Sequence, residues 1–336
     1  MLIPKCRMNY IGSKYKLLPF IYRVISQKVS DLSCTTFCDL FAGTGIVGRH
    51  FKPIVQNVIA NDFEYYAYVI NRNYISNNTP IEDYTSNLRM LNDEPKFGYD
   101  YDGLIYKNYC VDRQYFSKEN GLKIDKARQT IENWKTYCNL TDDEYYFYLT
   151  SLLEAADRVA NTASVYAAYL KHIKKTAQKT IELMPSDFTC NYGNNEVYNE
   201  DANELIKRIS GDILYLDPPY NERQYGANYH LLNTIAQYEN FTPKGKTGLP
   251  EYNRSKYCQK AQVVKEFDSL IKNAQFEWIF LSYNNEGLMT IDEIKTIMSK
   301  YGEYEVETKI NSRYKADDRK YSADSTIEYI HILHKL

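Results

Sequence analysis

Residues 213–220 read Ile-Leu-Tyr-Leu-Asp-Pro-Pro-Tyr, an apolar run that leads directly into two prolines. Apolar runs of this length, bounded by breakers, are typical of buried parallel strands. Pro218 and Pro219 cannot extend a hydrogen-bonded ladder, so they end the strand and stiffen the segment after it. The strand end therefore presents the Asp217 carboxylate, the Pro218 carbonyl and the Tyr220 ring. These groups suit a planar amino group, because the two oxygens accept its hydrogens while the ring stacks on its face.

Strands and helices alternate on both sides of this stretch. Strands are predicted at residues 35–41 and 55–60, and helices at 17–29, 46–51 and 64–75. Such alternation favours a parallel sheet in an α/β fold. The pattern returns after residue 195, with strands expected at 196–199, 277–282, 304–310 and 325–333, and helices at 203–209, 228–237 and 291–300.

A different pattern separates these two regions. Residues 77–194 begin with polar, turn-rich sequence that contains Pro80, Pro95, Gly98 and Gly103. Helical patterns follow at 142–159 and 165–183, the first with a capped start at residues 141–144. We therefore predict a catalytic domain formed by residues 1–76 and 195–336, and a mainly helical insertion domain at 77–194.

The turn after the first predicted strand has features of a nucleotide site. Gly43 and Gly45 allow a ligand to approach the backbone, and the helix that follows favours a carboxylate or phosphate. Asp62 ends the next strand 17 residues after Gly45, where it could accept both hydroxyls of a ribose. Because the second half of a dinucleotide fingerprint is missing, a nucleoside-sized cofactor fits better than NAD.

Taken together, these motifs resemble a known family, the DNA adenine N6-methyltransferases of restriction–modification systems, in the Dam-like, alpha-ordered group. The resemblance covers nearly the whole chain outside parts of the insertion. The segments that carry it, in the family's order, are residues 9–14 (Asn-Tyr-Ile-Gly-Ser-Lys), 41–45, Asp62, 200–202 (Glu-Asp-Ala), 217–220, 282–287 and 313–317.

The resemblance implies a doubly wound, mostly parallel seven-stranded sheet that binds S-adenosylmethionine (SAM). Lys14 would pair with the cofactor's carboxylate, Asp62 would hold its ribose and Asp201 would lie at its adenine. The cofactor-binding residues are then Tyr10, Lys14, Asp39, Phe41, Gly43, Gly45, Asp62, Phe63, Asp201, Ala202 and Asp217. The catalytic residues are Asp217, Pro218, Pro219 and Tyr220.

The expected substrate is double-stranded DNA, although the net charge of −2 argues weakly against a protein that coats nucleic acid. Local basic patches occur at residues 171–179 and 244–260. In the second patch we predict phosphate contacts from Lys244, Lys246, Arg254 and Lys256. The resemblance also implies functional pairing with a restriction endonuclease, and it suggests a short palindromic site such as CATG. The insertion would then read bases.

Other functions stay open at this point. The acceptor could be cytosine N4 or an adenine in RNA, although cytosine-N4 enzymes more often carry serine in place of Asp217. The chain could also be a SAM-binding regulator without catalysis, or the insertion could bind another protein. The seven cysteines are scattered without a Cys-x-x-Cys pair, so we expect no metal and a reducing cytoplasm. No apolar run is long enough for a membrane span.

Overall fold

The computed structural model describes residues 8–93, 103–312 and 325–335. Its centre is a seven-stranded sheet in the order β3-β2-β1-β4-β5-β7-β6. The strands are β1 Thr36–Asp39, β2 Asn57–Asn61, β3 Glu196–Tyr198, β4 Ser210–Leu216, β5 Gln275–Asn284, β6 Gly302–Ser312 and β7 Ser325–Lys335. Strand β7 runs antiparallel to both of its neighbours, whereas β1 to β5 pair in parallel. The predicted mostly parallel seven-stranded sheet is confirmed.

The two motif-bearing strands are neighbours at the centre of this sheet. Asp39 on β1 is paired with Tyr215 on β4. The chain continues from β1 to β2 on one side and from β4 to β5 on the other, so the strand order reverses between β1 and β4. In doubly wound sheets, ligands bind at such a reversal, outside the carboxyl ends of the strands. The topology therefore brings the glycine turn and Asp217 together, although 174 residues separate Gly43 from Asp217.

Helices cover both faces of the sheet. The helices that pack beside it are α1 Leu18–Lys28, α2 Ile46–Phe51 and α3 Tyr65–Asn71, then α7 Ala202–Leu205, α10 Val263–Asn273 and α11 Ile291–Met298. Successive β4 residues alternate between the two resulting cores: Ile213 and Tyr215 pack with α1 and α2, whereas Leu214 and Leu216 pack with α7, α10 and α11. Burial on both faces explains why this strand reads as a continuous apolar run.

The insertion forms a third layer, and it shares a hydrophobic core with helices of the predicted catalytic domain. Its helices are α4 Tyr84–Asn92, α5 Lys118–Tyr137 and α6 Asp142–Val159, and they pack on α3 and α9, His230–Gln237. Fully buried Ile124 and Leu149 of the insertion lie in one cluster with Tyr66 and Leu231. The insertion is therefore continuous with the sheet layers through α3 and α9.

One helix predicted for the insertion is wrong, and helices α4 and α5 were not predicted. Residues 165–183 form no helix, because asparagine side chains take over the backbone hydrogen bonds that a helix would make. The Asn161 amide donates to the Leu170 carbonyl, and Asn120 accepts from the Ile181 N–H. Helix α5 was not predicted because several of its polar residues are buried. Asp125 accepts hydrogen bonds from two backbone N–H groups, and Arg128 donates to the Ile235 and Ala236 carbonyls of α9.

Other predicted elements differ mainly at their ends. Helices α2 and α6 have the predicted bounds, and α6 begins with the predicted cap, in which Thr141 and Glu144 bond reciprocally. The helix predicted at 64–75 ends as a π-helical turn, Arg72–Ser76. The one predicted at 228–237 is α9, which begins at His230 after a separate short helix, α8 Tyr225–Asn228. Pro95, Gly98 and the predicted motif at 313–317 lie outside the described residues. Within the described ranges, no helix combines the length and apolarity that a membrane span requires.

Candidate active site

A cleft lies at the carboxyl ends of β1, β2 and β4. It encloses about 930 Å³ of empty space, including the part open to solvent. Its lining contains ten of the eleven predicted cofactor residues, Tyr10, Lys14, Asp39, Phe41, Gly43, Asp62, Phe63, Asp201, Ala202 and Asp217, and also Pro219. Gly45, Pro218 and Tyr220 lie outside that lining. Five further residues of the lining are absent from the predicted sets of cofactor-binding and catalytic residues: Glu64, Glu200, Tyr225, Ser255 and Tyr257.

Two glycines of the turn after β1, Gly43 and Gly45, lie very close to neighbouring side chains. Gly43 has φ +53°, and a Cβ atom there would lie 2.9 Å from Tyr10 Oη. Gly45 has φ +71°, and its Cβ would lie 2.4 Å from Asn71 Oδ1. Both positions therefore require glycine, for conformation and for space. Gly45 acts by shaping the turn at the start of α2, since it lies outside the cleft lining.

Asp62 is held in place at the end of β2. Its Oδ2 accepts from the Gly43 N–H at 2.7 Å, and its Oδ1 accepts from the Glu64 N–H at 2.9 Å. Burial raises the pKa of Asp62 to about 6, although these N–H groups act in the opposite direction. A carboxylate fixed in this way retains further lone pairs for ligand hydroxyls.

Asp201 follows β3 and caps the short helix α7. Its Oδ1 accepts from the Asn203 N–H at 2.9 Å. Asp201 and Ala202 both line the cleft. The three cofactor segments predicted from the sequence therefore surround one space.

The cleft fits the chemistry of SAM. Its lining combines acids at the ends of β2 and β3 with the aromatic rings of Phe41, Tyr225 and Tyr257. Acidic oxygens suit ribose hydroxyls and an adenine amino group, and aromatic rings suit the adenine face. Because Gly43 lies too close to Tyr10 to carry a side chain, the cleft wall at this position consists of the Gly43 backbone.

Asp39 lies in the floor of the cleft and is almost fully buried. Its Oδ2 accepts from the Gly48 N–H of α2 at 3.0 Å. Burial raises the pKa of Asp39 to about 7; the Gly48 N–H opposes this, and the nearby Asp217 and Asp62 carboxylates add to it. We therefore expect Asp39 to hold the start of α2, and with it the turn that contains Gly43 and Gly45, in position.

Asp39→Asn is expected to stabilise the ligand-free protein at pH 8 by on the order of 2 kcal/mol. The Asp39 carboxyl has a pKa of about 7 when folded, against an ordinary value of 3.8, so the folded state binds this proton more tightly. Its charged form is penalised above pH 7, and this penalty disappears as the pH falls towards 4. Urea unfolding of both proteins between pH 4 and 8 measures the difference, and a difference that does not change with pH would contradict this assignment.

Lys14 and Asp217 form an ion pair inside the cleft. Lys14 Nζ lies 2.8 Å from Asp217 Oδ1 and 5.1 Å from the centre of the Tyr220 ring. Burial alone would lower the pKa of Lys14, but Asp217 and Tyr220 raise it above its usual value. Burial raises the pKa of Asp217, and Lys14 offsets part of this effect. The structure thus pairs Lys14 with the Asp217 carboxylate, since a buried carboxylate needs a countercharge. The contact of Lys14 with the cofactor's carboxylate stays a prediction.

Tyr220 lies next to the Lys14–Asp217 pair, although it is outside the cleft lining. Its ring packs edge-on against Tyr283 at 6.1 Å, and its carbonyl accepts from the Leu288 N–H at 3.1 Å. A Cβ atom on Gly12 would lie 2.7 Å from Tyr220 Oη, so the predicted N-terminal motif reaches this ring. The predicted motif at 282–287 thus supports Tyr220 from the opposite side.

The four predicted DNA-binding residues are all exposed, on a segment that also supplies Ser255 and Tyr257 to the cleft. Lys244 pairs with Glu251 at 2.8 Å, and Lys256 pairs with Glu266 at 3.4 Å. Lys244 and Leu249 exchange two backbone hydrogen bonds, which close residues 244–249 into a tight loop that we call the lysine turn. The described residues contain no group of three or more histidine, cysteine or acidic side chains placed to hold a metal ion.

A doubly wound sheet, a nucleoside-sized cleft at its strand reversal and an Asp-Pro-Pro-Tyr strand end define a SAM-dependent methyltransferase acting on an exocyclic amino group. The chain belongs to the D12 class of N6 adenine-specific DNA methyltransferases, whose family model matches residues 10–297. It is therefore an enzyme that transfers a methyl group from SAM to adenine N6 in DNA, as the sequence predicted.

Curated relatives agree with this assignment. The Type II methyltransferase M.NlaIII of Neisseria lactamica is 55% identical, over 98% of this chain and 99% of that protein. The Type II methyltransferase M.CviAII of Paramecium bursaria Chlorella virus 1 is 39% identical, over 92% of this chain and 93% of that protein. M.FokI of Planomicrobium okeanokoites is also 39% identical, but the chain spans 53% of its length. The predicted site-specific methylation agrees with the description of these relatives as Type II methyltransferases.

Proposed function

We propose that the enzyme methylates an adenine flipped out of the duplex at its recognition site, with residues 217–220 as the acceptor site. The observation that carries this proposal is the place of Asp217: it directly follows β4 at the strand reversal, lines the cleft and pairs with Lys14, which also lies over the Tyr220 ring. An adenine inside a duplex cannot reach such a pocket, so it has to leave the base stack.

On the cofactor side, Asp62 would accept hydrogen bonds from the ribose hydroxyls, and Asp201 and Ala202 would contact the adenine amino group. Gly43 and Phe41 would border the amino-acid end of the cofactor. When bound, SAM supplies an electrophilic methyl group. The rigid anchoring of Asp62 by two backbone N–H groups supports this assignment, because it fixes the carboxylate before a ligand binds.

At the site of the adenine that receives the methyl group, Asp217 and the Pro218 carbonyl would accept hydrogen bonds from the two N–H groups of the adenine amino group. These contacts draw the nitrogen towards tetrahedral geometry and turn its lone pair towards the cofactor side of the cleft. Tyr220 would stack on the base and offset part of the cost of unstacking, about a few kcal/mol. Lys14 is bound to Asp217 Oδ1, and the remaining lone pairs of this carboxylate would receive the amino hydrogen.

The experiment that tests the proposal is incubation with unmethylated duplex DNA and methyl-labelled SAM, followed by nucleoside analysis and mapping of the modified positions. We expect N6-methyladenine at one short motif, and CATG is the first site to examine. Label in N4-methylcytosine or in RNA alone would contradict the proposal.

We further propose that this methylation protects DNA from a cognate restriction endonuclease. The similarity to Type II methyltransferases supports this role. DNA methylated by the enzyme should resist a nuclease that cleaves the mapped motif, and unmethylated DNA should be cut. Cleavage of fully methylated DNA at the unmethylated rate would exclude protection.

Lys244, Lys246, Arg254 and Lys256 would contact phosphates, and the double variant Lys244→Ala/Lys246→Ala tests the lysine turn. We expect roughly tenfold weaker binding to all DNA sequences and a shallower dependence on salt, since fewer counterions are released. Titration of specific and unrelated duplexes at several salt concentrations measures both effects.

The matched control is Lys295→Ala/Lys300→Ala, which removes two exposed lysines of the α11 region, one of them paired with Asp268 at 3.1 Å. The control should bind DNA like the unmodified enzyme. Equal losses in the two variants would indicate a net-charge effect, and a loss confined to the target sequence would indicate base reading; either result excludes specific phosphate contact by the turn.

A further inference from the structure

Arg113 of the insertion holds the lysine turn through its backbone carbonyls. Its Nε donates to the Lys246 carbonyl at 3.2 Å, and its Nη2 donates to the Gly245 carbonyl at 3.1 Å. The third nitrogen, Nη1, donates to the Asn108 carbonyl at 2.9 Å, within the insertion. One planar guanidinium group thus connects two consecutive turn carbonyls to the insertion.

Two further contacts fit the turn closely to Arg113. A Cβ atom on Gly248 would lie 2.7 Å from Arg113 Nε, so the guanidinium group packs directly against the glycine backbone. Tyr109, which is fully buried, donates from its Oη to the Gly248 carbonyl at 2.7 Å. Because the carbonyls of residues 245, 246 and 248 are all bound by the insertion, the turn is fixed at its inner side.

The lysine side chains of the turn lie on the outside of this arrangement. Lys244 and Lys246 are exposed, whereas the Arg113 side chain is only 13% exposed. Arg113 is therefore placed to orient the turn, since each of its three nitrogens donates to a carbonyl and its side chain is mostly buried.

We propose that Arg113 is a positioning residue for DNA binding: it holds the lysine turn in the orientation in which Lys244 and Lys246 meet the phosphate backbone. This inference rests on the proposed DNA contact of the turn. It also assigns the insertion a second role, because Arg113 and Tyr109 set the position of a loop that belongs to the catalytic part of the chain.

The decisive variant is Arg113→Lys, which keeps the positive charge but replaces the three nitrogens of the planar guanidinium fork, each bound to a separate carbonyl, with a single ammonium nitrogen. We expect Arg113→Lys and Arg113→Ala to raise the KM for DNA by on the order of tenfold, the effect of losing a well-placed phosphate contact. The kcat at saturating DNA and the affinity for SAM should stay within about twofold, because neither site touches Arg113. Tyr109→Phe should give a smaller change of the same kind.

Arg158→Ala is the matched control, since Arg158 is an exposed insertion arginine that donates to the Glu182 carbonyl at 2.8 Å. It should leave the KM for DNA unchanged. In a double-mutant cycle, Lys246→Ala should cost less in the Arg113→Lys background than in the unmodified enzyme, because the turn is already misplaced there.

Three results would overturn the inference. Arg113→Lys could bind DNA as tightly as the unmodified enzyme, which would show that charge alone matters. Both Arg113 variants could lose kcat and SAM affinity together, which would show a general structural role. If Lys244→Ala/Lys246→Ala itself binds DNA normally, the proposed DNA contact fails and the inference fails with it; if only the Arg113 variants bind normally, the DNA contact stands.

Discussion

Asp217→Asn is expected to reduce methyl transfer by roughly 10³-fold, comparable to the loss of a main stabilising group in other active sites. Asparagine keeps the size of the side chain, but its amide has one hydrogen-bond acceptor and one donor group. Its NH2 group can therefore face the NH2 group of adenine, where a carboxylate oxygen would have accepted a hydrogen bond. SAM affinity should change by less than about fivefold, because most of the cleft lining is untouched. Transfer of labelled methyl groups and calorimetric titration of SAM measure the two effects separately.

Asp212→Asn is the control for this variant. It makes the same chemical change on the same strand, where Asp212 Oδ2 accepts from the Thr36 N–H at 2.7 Å, away from the cleft lining. It should retain transfer close to that of the unmodified enzyme. Because Asp217→Asn leaves the buried Lys14 ammonium without its countercharge, unfolding by urea must accompany the assay. A folded Asp217→Asn protein with a tenth or more of normal activity would exclude Asp217 as the main acceptor.

Gly43→Ala is expected to weaken SAM binding by roughly 10- to 100-fold, the range that corresponds to about 1–3 kcal/mol of local strain. The new methyl group would lie 2.9 Å from Tyr10 Oη and 3.0 Å from two Tyr10 ring carbons, so the Tyr10 ring has to move within the cleft wall. The backbone at φ +53° adds a conformational cost that also lowers stability. Titration of SAM and thermal unfolding measure the two costs.

Gly245→Ala separates these costs. Gly245 has a similar φ of +68°, but no atom lies within 4 Å of the position that its Cβ would take. This control should lose stability through backbone strain and keep its SAM affinity. If both alanine variants bind SAM equally well, the close approach of Gly43 to Tyr10 has no part in shaping the cofactor site.

Local sequence was sufficient where the physical cause is local. The β4 strand was predicted because burial on both faces requires an unbroken apolar run and two prolines end it. Helix α6 was predicted with its bounds because Thr141 and Glu144 form a reciprocal cap. The segments that line the cleft were predicted because glycines and strand-end acids have to follow β1 and β2 at short range, as the resemblance to adenine methyltransferases also implied.

Long-range pairing was not readable in the same way. The contact between Lys14 and Asp217 joins residues 203 positions apart, and nothing in either neighbourhood specifies the other. Tyr225 and Tyr257 line the cleft because α8 and the 242–260 segment fold over it, and tyrosine is too common in this chain, with 34 residues, to mark them. Buried polar groups likewise concealed α5, since Asp125 and Arg128 bind backbone groups that the sequence does not show.

The shared core of the insertion, α3 and α9 limits how the insertion can be exchanged between related enzymes. A chimaera with junctions at residues 77 and 194 would separate Ile124 and Leu149 from Tyr66 and Leu231, which pack in one cluster. Each such mismatch in a fully buried cluster costs about 1–3 kcal/mol, and several together approach the whole stability of a domain. A transplant that carries residues 65–76 and 225–249 along with the insertion would keep both this cluster and the Arg113 contacts within one donor sequence, and such grafts should fold where simple loop exchanges fail.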